Sequence, residues 1–232
     1  ETGRANFSMG YNEVNGFSGG GGFEFINFLG KGLVLSIDYQ KGLQNQINSG
    51  LNQSSSSGSA DFESFSVSFT EPRIFDSKNS IGFSLYKSEQ GSQPGSGYIY
   101  DTERVGGSIT FGRQFKWPDY YTYGRWRIGI SSTKSFGDED QLMASYSTQQ
   151  HLIHQNGTNS YVKKDGIQLT QTIGRTNVDN AEFSTTGSKL TWLSMLSGGV
   201  LGGDENYHKH VFNFKWYTPV LKKLVLYQNF TF

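Results

Sequence analysis

Leu224-Val225-Leu226-Tyr227-Gln228-Asn229-Phe230-Thr231-Phe232 ends the sequence, and its alternation decides the fold. Successive side chains of a β-strand point to opposite faces. Leu224, Leu226, Phe230 and Phe232 therefore share one side, with Gln228 as the polar interruption. A strand that meets lipid on one side and a polar lumen on the other is written in this way. At least eight earlier segments repeat the rhythm, more than a soluble sandwich needs. They predict an all-β protein, an antiparallel transmembrane β-barrel.

Composition agrees. Hydrophobic residues are 34% of the 232 residues while aromatics reach 15% and glycine numbers 30, an apolar share low for a packed core and suited to a cylinder with a wet interior. Lys and Arg number 20 and Asp and Glu 20, so no polyanion partner, and no nucleic acid, is implied. With no cysteine there is neither a disulfide framework nor a thiolate site. No window reaches about eighteen uninterrupted apolar residues. Neither a transmembrane helix nor an intact secretory signal is therefore expected, and the expectation is that a signal or upstream domains have been removed.

The strands read outward from that rhythm. Phe7, Met9 and Tyr11 alternate with Asn6, Ser8 and Gly10, and a turn of Asn12 to Asn15 leads into a second strand of about Gly16 to Phe25. Gly19 to Gly22 within it read as a barrel kink, and no Gly-Lys-Ser/Thr ending makes them a phosphate loop. Leu33 to Tyr39 and Phe65 to Phe69 follow, separated by the Gln/Asn/Ser-rich tract Asn45 to Ala60, which reads as a long solvated loop. Further strands are marked by Ile81, Phe83 and Leu85, by Val105, Ile109 and Phe111, and by Trp126, Ile128 and Ile130. Gly137 to Lys164 breaks the pattern and is expected to be a surface loop that carries a short helix. Ile167 to Ile173, Leu190 to Leu196 and Phe212 to Trp216 come next, and Thr218-Pro219 is expected to turn the chain into the closing strand. The count is about eleven. Single-chain bacterial barrels have even counts, so strands are expected to be missing.

Enzyme chemistry finds little support, and no catalytic residue, metal or cofactor is expected. His208 and His210 alternate on one face near Asp204 and Ser194, without a third ligand at a recognised spacing. His151 and His154 lie in a polar stretch. Trp117, Tyr120, Tyr121, Tyr123 and Trp126 read as an interfacial aromatic girdle around one turn.

Several motifs fall in one order along the chain: Asn27-Phe28-Leu29-Gly30-Lys31-Gly32, Thr70-Glu71-Pro72, Gly82-Phe83-Ser84-Leu85-Tyr86, Tyr100-Asp101-Thr102-Glu103-Arg104, Thr186-Gly187-Ser188, Leu201-Gly202-Gly203-Asp204 and Trp216-Tyr217-Thr218-Pro219. In this set and order the sequence resembles the barrel of the BamA family, the central subunit of the machinery that assembles outer-membrane β-barrels. The resemblance implies that residues 1–232 hold roughly eleven of a probable 16 strands, without the family's POTRA repeats or its Val-Arg-Gly motif. It further implies a bacterial outer-membrane location and, as partners, outer-membrane lipids, client β-barrel proteins and accessory subunits. The function implied is that of an insertase, in which a client strand pairs with the edge of the first strand, here Asn6, Phe7, Ser8, Met9, Gly10 and Tyr11. A self-contained porin or transporter barrel ending at Phe232 is the alternative.

Overall fold

The computed structural model describes residues 3–12, 16–43, 62–91, 100–137, 139–145, 153–156, 159–221 and 224–232. The tract Asn45 to Ala60, His151 and the turn residues 13–15 lie outside them. Among the described residues twelve strands form one antiparallel sheet. They are β1 (Arg4–Asn12), β2 (Gly16–Phe28), β3 (Leu33–Leu43), β4 (Phe62–Glu71), β5 (Asn79–Gln90), β6 (Asp101–Gln114), β7 (Thr122–Gly137), β8 (Ile153–Asn156), β9 (Asn159–Thr176), β10 (Gly187–Ser197), β11 (Tyr207–Leu221) and β12 (Leu224–Thr231). The path runs from β1 through β7 to β9 and on to β12, with β8 paired to β9 off the path. Eleven strands on the path match the count read from the dyads. The chain packs as two compact units, one of Glu1–Thr70, Phe83–Gly107 and Ile130–Asp165, the other of Glu71–Gly82, Ser108–Gly129 and Gly166–Phe232.

Gly19 to Gly22 are each paired in unbroken register to both β1 and β3, and the register shift of β2 falls between Ile26 and Phe28. Two local readings are corrected. Thr218 and Pro219 are no turn, since they lie in β11 opposite Leu226 and Val225, and a bulge follows at Pro219/Leu221. A proline is tolerated there because the ladder is already irregular. The stretch after Phe136 carries helix α1 (Glu139–Ser145) as expected, but it also carries β8 and the first residues of β9. Leu142 and Val162 are fully buried there, with Tyr100 and Ile153 packed on them, so this segment has an apolar centre of its own.

Elsewhere the sheet has two unlike faces rather than a core. Phe83, Leu85, Val105, Ile109, Ile128 and Ile130 are exposed large apolar groups at alternate positions. The opposite face contains aromatic-on-glycine contacts. A Cβ on Gly106 would meet the Tyr86 ring at 2.6 Å, and one on Gly174 would meet the Tyr123 ring at 2.5 Å. Each glycine leaves room for a ring from a nearby strand, an arrangement that fills the gap a missing side chain would leave. Tyr123 therefore does not belong to an aromatic girdle with Trp126. Trp126 lies on the other face, stacked on Phe111 with ring centroids 6.0 Å apart and donating from its indole to Gln171 Oε1 at 3.1 Å.

The short turns are fixed by side chains that replace ladder bonds. Asn27, at φ 66°, accepts the Gly32 amide on Oδ1 at 2.7 Å. Asp119 accepts from Arg175 Nε at 2.7 Å and Thr122 Oγ1 at 3.0 Å, and the Arg175 contact holds its carboxyl below the usual range. Asp179 accepts the amides of Thr185 at 2.9 Å and Thr186 at 3.1 Å together with the Thr185 hydroxyl. These bonds, the hydroxyl first, hold its carboxyl well below the ordinary carboxylate range.

Gly174→Val should displace Tyr123 and cost about 1–3 kcal/mol, the usual penalty for overpacking, read as a lower urea midpoint of the detergent-folded chain. Gly10→Ala, whose Cβ would meet nothing nearer than Ser18 Oγ at 3.9 Å, should change that midpoint little. Because the Asp179 carboxyl is depressed on folding, its contribution is present above the unfolded carboxyl pKa and disappears as pH falls through the folded value. Hydrogen exchange at the Thr185 and Thr186 amides should stay protected from neutral pH down past pH about 4. Asp179→Asn should abolish any pH dependence of that protection below pH about 4.

Candidate functional site

Asn6 to Tyr11 form the middle of β1, whose nine residues pair from Arg4↔Glu24 to Asn12↔Gly16. β1 begins the strand path, and β2 is its single neighbour among the described strands. The dyad divides the six residues between two faces. Phe7 and Met9 are 80% and 81% exposed and Tyr11 is 62% exposed, on the apolar side. Asn6 and Ser8 face the other way, into a cleft of about 210 Å³ lined also by Gly20, Gly22, Asp38, Gln40, Ser64 and Ser66.

The glycine run shapes both sides of this strand. On the polar side a Cβ at Gly22 would collide with Asp38 Oδ1 and come within 2.6 Å of Asn6 Oδ1, and one at Gly20 within 2.8 Å of the Tyr39 carbonyl oxygen. On the apolar side a Cβ at Gly21 would meet the Phe7 ring at 3.0 Å, and that ring packs edge-on to Phe23 with centroids 6.4 Å apart. β1 is thus laid against a strand that offers it backbone and very little side chain. Its pairing with β2 rests on the ladder, and a glycine-rich strand contributes little side-chain packing to hold it. The sequence marked these glycines for sharp bending or close backbone approach, and β1 and β3 do approach them closely from either side.

The remaining candidates are held in ordinary polar contacts. His208 and His210 lie with ring centroids 4.1 Å apart. Ser194 Oγ is 3.4 Å from His208 Nε2, and Trp192 donates to His210 Nδ1 at 3.4 Å. His154 stacks on Tyr161 at 5.4 Å. Among the described residues no three His, Cys, Asp or Glu side chains gather as metal ligands, and no helix is long and apolar enough to cross a membrane.

The Omp85 superfamily domain matches residues 27–232. No curated protein matches the sequence. Among solved structures, the chain is similar to the crystal structure of BamA from Haemophilus ducreyi lacking POTRA domains 1–3, with a TM-score of 0.68 at 21% identity. The similarity covers 98% of this chain and 40% of that one. The two-faced sheet and the family match over most of the sequence agree, and the chain belongs to the Omp85 superfamily, with the fold of a BamA-type β-barrel.

Proposed function

We propose that this chain is the barrel part of a bacterial outer-membrane insertase, its apolar face in contact with lipid, and that it folds client β-barrels by pairing their strands with the edge of β1. The observation that carries the proposal is a first strand backed by Gly19 to Gly22, a run that offers it backbone and almost no side chain. An unpaired strand edge is a template: its backbone donors and acceptors bind an extended segment with little demand on side chains. The glycine backing supplies a reason for β1 to yield, since few side-chain contacts must be broken when it bends away from β2. The partners on this reading are client strands, membrane lipids and the accessory subunits of an assembly machine, and the work is strand pairing rather than bond chemistry.

Cysteine at Ser8 in the full-length protein should form a disulfide during assembly with cysteines at every second position of a client's terminal strand, because paired residues share a face. Absence of any adduct, or adducts spread evenly over consecutive positions, would rule out templating at this edge. Gly22→Val, which pushes on Asn6 and Asp38, should slow client insertion into proteoliposomes several-fold while the barrel itself still folds.

A further inference from the structure

At one end of their strands, the alternating apolar positions of the first unit give way to charges on the same face. On β3, Leu35, Ile37 and Tyr39 are succeeded by Lys41, and on β4 Glu63 precedes Phe65, Val67 and Phe69. On β5, Phe83 and Leu85 are succeeded by Lys87 and Glu89, and on β6 Glu103 precedes Val105. On β7, Lys134 lies two dyads beyond Ile130. The contacts confirm the shared face. Lys41 Nζ is 3.5 Å from Glu63, and Lys87 Nζ is 2.6 Å from Glu89 and 3.5 Å from Glu103 Oε1. Lys134 Nζ lies 3.8 Å from Glu103 Oε2.

Two ammonium groups from flanking strands thus meet opposite oxygens of one carboxylate. The lysine side chains are 50% and 41% exposed, while Glu103 between them is 26% exposed. Exposed ion pairs of this kind are worth little, so a dianion can take the place of the Glu89 and Glu103 carboxylates on the two lysines at small cost. Resting on the lipid-facing reading above, the charges stand where apolar chains end and headgroups begin. They lie at the ends joined by the longer connections, such as the one between Leu43 and Phe62, which in such barrels face the outside.

We infer that Lys87 and Lys134 form a docking site for the phosphate of a phosphorylated outer-leaflet lipid, with Glu103, which bridges the two lysines, and Glu89, which pairs with Lys87, as the internal competitors that occupy them when no lipid is bound. Phosphate accepts charge-assisted bonds from ammonium groups, and lysines at a membrane surface add to the attraction of anionic lipid. The lipid's acyl chains would lie along Leu85, Val105 and Ile130, which continue the same face below.

The test is to titrate the detergent-folded full chain with bisphosphorylated lipid A and with its dephosphorylated form, counting bound lipid by native mass spectrometry. The phosphorylated form should bind tighter by on the order of tenfold, and Lys87→Gln/Lys134→Gln should erase that preference. Glu103→Gln should strengthen it. Lys31→Gln/Lys78→Gln, at the opposite strand ends, should leave it unchanged. Equal binding of the two lipids, or weaker binding in Glu103→Gln, would overturn the inference. Incorporation into phosphatidylcholine nanodiscs separates the two readings. A chain that fails to incorporate refutes the lipid-facing assignment itself, whereas one that incorporates without phosphate preference refutes only the headgroup site.

Discussion

A strand that crosses hydrocarbon must place every backbone N–H and C=O in a ladder, because there is no water to accept those left over. This constraint accounts for the way β9 is bordered. β10 pairs with it from Gln168 to Thr176. Beyond that the Gly198 amide donates to the Ile167 carbonyl at 3.2 Å, Gly166 bridges to Gly203, and β8 pairs with β9 from Asn159 to Val162. At the far end of the path the exchange of bonds between Phe212 and Phe232, each 3.0 Å, carries the ladder to the last residue. The turns obey the same rule by substitution, with Asn27, Asp119 and Asp179 accepting the amides that a sharp reversal removes from strand pairing.

Once the ladder fixes the backbone, side chains decide how closely strands approach. In each unit the polar face has places where a ring or an amide rests over a glycine, as Tyr123 does over Gly174 and Asn6 over Gly22. Such pairs fix register, since a one-residue slip would place a side chain where no space exists and move every apolar group to the polar face. The two glycine sets differ in what they receive. Gly106 and Gly174 hold aromatic rings, whereas Gly20 and Gly22 receive backbone and small polar groups. The first set locks its neighbours, and the second leaves β1 held mainly by hydrogen bonds.

The dyad made most of the fold legible, because period two survives any detail of twist or tilt. The Asn27-to-Gly32 motif was legible for a physical reason also, namely an asparagine in the left-handed region whose side chain closes the turn. What misled were residues with two meanings. Pro219 marks a turn in most strand-turn-strand readings, yet at a bulge it costs no regular ladder bond. Four successive glycines permit bending or close approach, and here the neighbours close in while the register holds. Tyr123 and Trp126 read as one cluster because they are near in sequence, although a separation of three residues puts them on opposite faces. β8 escaped notice because four residues are too few to show a period. The candidate edge was legible only through resemblance: being terminal is a property of strand order, and no local pattern in Asn6 to Tyr11 distinguishes an edge strand from an interior one.

An edge that binds by backbone alone would accept any extended chain, including the strands of its own copies. On the proposed reading the two faces of β1 supply the selection that the ladder lacks. A segment joined to β1 in register continues Phe7, Met9 and Tyr11 on one side and Asn6 and Ser8 on the other, so it must itself carry the dyad to avoid placing polar groups in lipid or apolar groups over the cleft. That demand is met by outer-membrane strands as a class and by few soluble ones. The requirement falls on the pattern and not on any particular residue, and a pattern is what a protein with many different clients can read. The glycines behind β1 then set the other half of the balance: they keep the native pairing dependent on hydrogen bonds, which an incoming strand can replace one for one.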